Sequence, residues 1–158
     1  MSAQPSIGPR IPRFVRYANP VITTLGRMGL VLGTMRLLTV PGRKSGKMRT
    51  TPVSPFKVDG RLYICSMGHV EWVRNARASG WGILARGRRH ARFGLVEIPL
   101  RERGAILREF PARVPHGASM FVRLGIVASV DPDAFAAAAD RMVVFRADPM
   151  SEEPGTAG

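Results

Sequence analysis

The order of short apolar segments and tight turns is the feature that most constrains the fold of this chain. Met35 to Val40 and Thr50 to Val58 both have the composition of β-strands. Asp59-Gly60 then predicts a hairpin turn into a third strand, Arg61 to Met67. Because hairpins join antiparallel strands, the pattern predicts a small antiparallel barrel-like sheet rather than a doubly wound parallel one.

The second half of the chain adds strands and helices. Three more strands bring the expected number to five to six: Trp81 to Arg86, Arg92 to Ile98 and Met142 to Phe145. Helices are predicted at Val70 to Ala78, Arg101 to Phe110 and Pro132 to Asp140, the last with Asp131 as its N-cap. Ala112 to Ser129 fits neither pattern. We therefore expect an α+β domain in which helices flank the small barrel.

A cationic loop lies between the first two predicted strands. Arg43, Lys44, Lys47 and Arg49 place four cations within seven positions, and the first carboxylate of the chain is Asp59. No carboxylate near in sequence neutralises these cations, so the sequence predicts that their counter-charge comes from an anionic partner.

The residue types in this loop suit an anion. Glycines at 42 and 46 let backbone amides turn toward it, while arginine supplies a planar fork and lysine a point charge. The spacing is neither that of a Walker loop nor that of a dinucleotide fingerprint, and a solvated hairpin tip is the simpler alternative. Pro52 and Pro55 make the second strand an edge strand or leave its backbone free to face a ligand.

The overall charge also indicates an anionic partner. The net charge is +13, and 10 of the 24 Lys and Arg residues lie in the first 58 positions. Nucleic acid, anionic lipid and a phosphorylated small molecule would all be attracted to such a surface. Aromatic residues make up only 7% of the chain and none is interleaved with the basic residues in a stacking motif, so nucleic acid is the least favoured of the three.

The termini and the N-terminal segment carry further expectations. Residues 1–9 and 150–158 have the composition of disordered ends, which leaves 10–149 as a single domain. Residues 10–28 have the periodicity of a basic amphipathic helix, which either packs on the sheet or rests on an anionic membrane. No apolar run has the length of a secretory signal. We expect a cytoplasmic protein, peripheral at the inner face of the plasma membrane if this helix contacts lipid.

A longer motif surrounds the cationic loop. The run from Leu38 to Pro52 resembles the T-x-x-GRKSG-x-x-R-x-T-P signature of the deazaflavin-dependent nitroreductase family. In that family the signature is followed by an Asp-Gly hairpin, a strand that ends in serine and a helix with a Trp-x-x-Asn pair. Here Ser66, Trp72 and Asn75 follow in that order, and Met142 to Arg146 resembles the closing strand of the family.

The resemblance implies a split β-barrel that binds coenzyme F-420, an anionic deazaflavin with a phosphorylated side chain and a polyglutamate tail. In such enzymes the reduced deazaflavin delivers hydride, while the protein binds and orients it. The implied acceptor is small, apolar and conjugated, such as a quinone or an enone, in a pocket covered by Pro111 to Ser129. Nitroaromatic reduction is not expected, because tyrosines of the nitroreductase type are missing. FMN is a less favoured cofactor.

The resemblance also implies specific site residues. Arg43, Lys44 and Arg49 would bind the phosphate or the glutamate tail, and the backbone of Thr51 to Val53 would lie against the ring. The implied cofactor-binding set is Gly42, Arg43, Lys44, Ser45, Arg49, Thr51, Pro52, Val53, Ser66, Met67, Gly68 and Asn75.

A few further residues bear on the chemistry of the site. His69 and His116 are the candidate proton donors after hydride transfer. Met67 stands where the family carries a lysine, which leaves a non-catalytic deazaflavin or flavin carrier as the alternative function. Cys65 is expected to be buried and inert, and no set of residues has the spacing of metal ligands.

Overall fold

The computed structural model describes residues 34–86 and 89–151 of the 158. These residues form seven strands: β1 (Arg36–Pro41), β2 (Met48–Val53), β3 (Phe56–Val58), β4 (Arg61–Met67), β5 (Trp81–Arg86), β6 (Arg89–Glu97) and β7 (Met142–Pro149). They also form five helices: α1 (Glu71–Ser79), α2 (Leu100–Leu107), α3 (Phe110–Arg113), α4 (Pro115–Arg123) and α5 (Pro132–Ala137).

The predicted amphipathic helix at 10–28 lies outside the described residues. Within those residues, no helix is long and apolar enough to span a membrane.

The strands make one antiparallel sheet in the order β2-β1-β5-β6-β7-β4-β3. Its two edge strands, β2 and β3, are joined by only two residues, Ser54 and Pro55. The ends of the sheet must therefore come together, and because β2 and β3 do not pair, the barrel is split at this corner. The predicted antiparallel barrel with flanking helices is confirmed.

The predicted number of five to six strands is wrong. The expected strand Thr50 to Val58 is divided by Ser54 and Pro55 into β2 and β3, which lie at opposite edges of the sheet. Proline at 55 has no backbone N–H to donate to a ladder, so it marks the corner at which the chain leaves one edge for the other. The last strand also continues beyond the predicted Phe145, as far as Pro149.

The two predicted hairpins, β1–β2 and β3–β4, are present. β1 and β2 pair around the cationic loop, with Thr39 opposite Thr50. Asp59 and Gly60 have φ angles of 50° and 76°, which are the positive values that a tight two-residue hairpin turn needs. The cationic loop is therefore held at the end of a regular antiparallel ladder.

Apolar side chains form two clusters. One fills the barrel and includes Leu38, Ile64 and Phe145, with Val73 of α1 packed against them. The other lies between the sheet and helices α2 to α5, where four phenylalanines pack with ring centroids between 5.2 and 6.4 Å apart: Phe56, Phe110, Phe121 and Phe135. Burial of the apolar side chains in these two clusters is the main contribution that holds the helices on the sheet.

The helices differ from the predictions in detail. The stretch from Ala112 to Ser129, which fitted no pattern, contains α4, and Pro115 is the first residue of that helix. Asp131 is at the N-cap position of α5, as predicted, but its side chain makes no capping bond and instead accepts a hydrogen bond from Ser129 at 3.1 Å.

Candidate functional site

An open cleft of about 440 Å³ lies between the cationic loop and α1. We call it the cationic cleft. The loop and β2 form one wall, and the first turns of α1 form the other. Its lining residues are Val40, Gly42, Arg43, Lys44, Ser45, Arg49, Thr50, Thr51, Val70, Glu71, Trp72 and Asn75.

Short-range hydrogen bonds shape the loop that forms the first wall. Gly42 N–H donates to the Lys47 carbonyl at 2.8 Å, and Gly46 N–H donates to the Gly42 carbonyl at 2.8 Å. Gly46 has a φ of 71°, in the left-handed region that glycine adopts without strain. A Cβ at residue 42 would lie 3.1 Å from the Lys47 carbonyl oxygen, so this position favours glycine too. The GRKSG residues thus form a compact turn.

Asn75 ties this loop to α1. Its side chain is only 4% exposed, and its Oδ1 accepts hydrogen bonds from the Arg43 backbone N–H at 3.1 Å and from Arg43 Nη1 at 3.0 Å. A buried amide oxygen with two donors is well satisfied, so Asn75 holds the loop at a fixed distance from the helix. Asn75, for which the resemblance implies a cofactor-binding role, lines the cleft and also orders the loop.

Glu71 is the counter-ion of Arg43. Its Oε2 lies 2.7 Å from Arg43 Nη1, and its Oε1 lies 3.5 Å from Arg74 Nη1. Arg43 lowers the pKa of the Glu71 carboxyl, mainly through its hydrogen bond and to a smaller extent through its charge. The inference that the charge of Arg43 must be compensated by an external anion is therefore wrong. The sequence gives no signal for this pair, since 28 positions separate the two residues.

Two other cations of the cleft have no such partner. Lys44 and Arg49 line it, and within the described part of the chain neither is in an ion pair. Both residues are exposed. Lys47 is on the same loop but does not line the cleft. Among the described residues, the cleft cations that form no ion pair are therefore Lys44 and Arg49, and the charge of Lys44 contributes to the lowered pKa of Glu71.

A second cavity, which we call the apolar pocket, has a volume of about 240 Å³ and shares Trp72 with the cationic cleft. Helix α4 and Phe110, the first residue of α3, line one side of it, and α4 lies within the segment from Pro111 to Ser129. The Trp72 ring packs 5.6 Å from that of Phe145 and separates the two cavities. The pocket is lined by Thr34, Met35, Pro52, Val53, Ser54, Cys65, Ser66, Met67, Trp72, Phe110, His116, Gly117, Met120 and Phe121.

Residues 15–111, more than half of the chain, match the family model described as F420H(2)-dependent quinone reductase. The chain belongs to this family. The resemblance of the GRKSG run to deazaflavin-dependent enzymes is thereby confirmed, and the chain falls among F420-dependent reductases, which are oxidoreductases. The family name specifies a quinone reductase, and nitroreductase activity has no support from it.

Solved structures similar to this one support the fold. An F420-H2-dependent reductase is 19% identical with a TM-score of 0.50, over 73% of this chain and 95% of that one. A protein of unknown function from Agrobacterium tumefaciens strain C58 is 18% identical with a TM-score of 0.56, over 94% and 60%. A domain-swapped dimer is 20% identical with a TM-score of 0.52, over 86% and 98%. A search of curated proteins found no match.

The predicted site residues divide between the two cavities. Those in the cationic cleft are Gly42, Arg43, Lys44, Ser45, Arg49, Thr51 and Asn75. Those in the apolar pocket are Pro52, Val53, Ser66, Met67 and His116. Gly68 and His69 line neither cavity, and a Cβ at residue 68 would lie 3.1 Å from Val143 Cγ2. The first part of the F420 signature therefore faces the cleft, and its final Pro52 faces the pocket.

The residues of the two cavities fit the cofactor that the family name specifies. An anionic tail needs uncompensated cations and a backbone turn, which the cationic cleft has at Lys44, Arg49 and Gly42. A planar ring system needs an apolar slot, and the apolar pocket begins where β2 passes from Thr51 to Pro52.

Cys65 is half-buried rather than buried as expected, and it lines the apolar pocket, where desolvation raises the pKa of its thiol. It therefore stays protonated at neutral pH, in agreement with the expectation of an inert cysteine. Within the described ranges there is no group of three or more His, Cys, Asp or Glu side chains that could hold a metal ion.

Proposed function

We propose that this protein uses reduced coenzyme F-420 to reduce a small, apolar, conjugated acceptor of the quinone or enone type. The observation that carries this proposal is that a cleft lined by cations and an apolar pocket share Trp72 in their walls. An anionic tail and an apolar reacting ring are the two halves of one cofactor, and the two cavities match them in order along β2.

Each wall has a role in this proposal. Lys44 and Arg49 bind the phosphate or the glutamate tail, and the turn at Gly42 and Ser45 presents backbone N–H groups to it. The backbone from Thr51 to Val53 lies along the ring. The bound cofactor supplies the hydride, while the protein holds ring and acceptor together and excludes water.

The acceptor occupies the part of the apolar pocket under α4. Met120 and Phe121 on that helix line the pocket together with Ser66 and Met67. These walls offer few charges, so they favour an uncharged acceptor over an ionic one. Met67, at the position where the family carries a lysine, adds to this apolar character.

Of the two candidate proton donors, His116 is the one that lines the apolar pocket, and it is exposed enough to exchange protons with water. We expect His116→Gln to lower kcat by about 100-fold, the lower end of the range for general acid catalysis, with cofactor affinity unchanged. His69→Gln is the matched control, because His69 is exposed and lines neither cavity. Equal effects of the two substitutions would contradict the role of His116.

A fluorescence titration with oxidised coenzyme F-420 tests the proposal, with FMN as the control ligand. We expect saturable quenching by the deazaflavin and much weaker binding of FMN, which lacks the polyglutamate tail. Oxidation of the reduced cofactor is then followed with a panel of quinones and enones. Absence of deazaflavin binding would overturn the proposal. Tight binding without oxidation would favour the carrier function instead.

A further inference from the structure

A row of arginines crosses three neighbouring strands at one end of the barrel. Arg86 of β5 lies directly opposite Arg89 of β6. The β1–β5 register pairs Leu37 with Ala85, and its continuation by one residue brings Arg36 beside Arg86. Residues that are directly opposite in antiparallel strands share a face of the sheet, so the three side chains lie side by side.

This row faces the interior of the barrel. Side chains alternate along a strand, so Arg36 is on the same face as the buried Leu38, and Arg86 is on the same face as the buried Leu84. On the opposite side of the opening, Lys57 of β3 pairs with Leu62, whose side chain packs against the same inner cluster. Four cations therefore surround one end of the barrel.

These residues enclose a groove of about 290 Å³, which we call the barrel mouth. Its rim carries Arg36, Lys57, Arg86 and Arg89, and its floor is apolar. The remaining lining residues are Pro55, Leu62, Leu84, Ala85, His90, Ala91 and Phe93. The groove therefore has a charged rim above a floor continuous with the barrel core.

The charges of the rim are not compensated within the described residues. No ion pair there involves any of the four cations, and Arg36 donates only to the Met35 carbonyl, at 3.1 Å. Burial, and then the charge of Arg86, lowers the pKa of Arg36, as expected for a half-buried guanidinium beside a second one. Like charges directly opposite in a sheet are destabilising, so the arrangement calls for an anion.

The barrel mouth is separate from the cationic cleft. The two share no lining residue, and they lie at opposite ends of β1, which begins at Arg36 and ends at Pro41. At 3.4 Å per residue these ends are roughly 17 Å apart. One anionic head cannot contact both sites, and the mouth is not used by the function proposed above.

We propose that the barrel mouth binds the anionic head of an acyl amphiphile, with the alkyl chain against the apolar floor. Guanidinium groups bind carboxylates and phosphates through paired hydrogen bonds, and three adjacent arginines can surround one head group. A purely polar anion would leave Leu62, Leu84 and Phe93 uncovered, and an uncharged lipid would leave the four cations without a partner. A free fatty acid and an acidic phospholipid share the required chemistry.

Calorimetric titration of the full chain with sodium decanoate, below its micellar concentration, tests the site. We expect saturable binding that weakens by about tenfold or more in the double variant Arg86→Gln/Arg89→Gln, since each 1.4 kcal/mol is a factor of ten. The matched control is Arg101→Gln/Arg123→Gln, which removes the same charge from exposed residues outside the groove. Equal weakening in both double variants, or no binding to the unaltered protein, would overturn the proposal.

A second variant addresses the floor and the source of the ligand. Ala91 is exposed in the groove, so Ala91→Glu should abolish decanoate binding while leaving F-420 binding unchanged. Inorganic phosphate should bind at least tenfold more weakly than decanoate, because it has no alkyl chain. Equal affinity of the two ligands would contradict the proposed contact between the alkyl chain and the apolar floor. Sedimentation with phosphatidylglycerol vesicles, weakened by Ala91→Glu, would identify a membrane lipid as the source, whereas decanoate binding without vesicle binding would identify a free acyl anion.

Discussion

The cationic cleft and the apolar pocket share Trp72, yet they are built from different layers of the molecule. The cleft is formed by an exposed loop and the first turns of α1, and Lys44 and Arg49, which form no ion pair with any described residue, are exposed. The pocket is formed by side chains of the core itself, among them Phe110 and Phe121. Ligand affinity and protein stability should therefore respond to different residues, which four substitutions can test.

The largest effect is expected in the wall of the pocket. Phe110 is 2% exposed and packs against Phe56, Phe121 and Phe135, so Phe110→Ala should lower the free energy of unfolding by about 3–5 kcal/mol. Urea denaturation gives the value. Met120→Ala is the control, because Met120 lines the same pocket but is exposed, and its loss should stay below about 1 kcal/mol. Similar losses of unfolding free energy in Phe110→Ala and Met120→Ala would contradict the view that the buried wall of the pocket belongs to the core.

The next effect is on affinity in the cleft. Arg49→Gln removes one uncompensated cation and should weaken coenzyme F-420 binding by about 10- to 100-fold, the value of one hydrogen bond to a charged group. The free energy of unfolding should change by less than about 0.5 kcal/mol, because Arg49 is exposed and has no ion-pair partner within the described residues.

Lys47→Gln is the matched control for Arg49, since Lys47 is on the same loop and does not line the cleft. Fluorescence titration compares the two variants at equal salt. An equal loss of affinity would show that the field of the whole loop, rather than contact in the cleft, attracts the cofactor.

Asn75 should affect both properties, because it connects the loop to the buried side of α1. Asn75→Ala leaves the Arg43 N–H without its partner and should cost about 1–2 kcal/mol of unfolding free energy. Cofactor affinity should fall in parallel. Asn75→Asp keeps an acceptor oxygen and should retain most of the stability, whereas an equal loss in both variants would show that the hydrogen bond to Arg43 is unimportant.

The smallest effect is expected for Glu71, which is fully exposed and competes with the ligand for Arg43. Glu71→Gln should raise the affinity for F-420 by about twofold to threefold, the value of a surface ion pair. In the unaltered protein the same gain should occur only as the pH falls through the pKa of Glu71, which the neighbouring Arg43 lowers below its ordinary range. A decrease in affinity would show that Glu71 helps to hold Arg43 for the ligand.

Much of the barrel and half of the site could be predicted from the sequence. Asp59-Gly60 and the GRKSG turn are local, since their geometry depends on φ angles and hydrogen bonds between residues at most five positions apart. The hairpins and the position of Lys44 and Arg49 on or beside the exposed loop follow from them. The extra strand could not be predicted with the same certainty, because Pro55 is compatible both with an edge strand and with a corner.

The sequence by itself determined an antiparallel barrel and an arginine- and lysine-bearing turn at the end of its first hairpin. Only the tertiary structure decided that Glu71 neutralises Arg43, that Trp72 separates the two cavities, and that Arg36, Arg86 and Arg89 meet at the barrel mouth. The physical reason is the range of each interaction. Turns depend on neighbouring residues, whereas these contacts exist only once the sheet has curled and brought separate strands and α1 together.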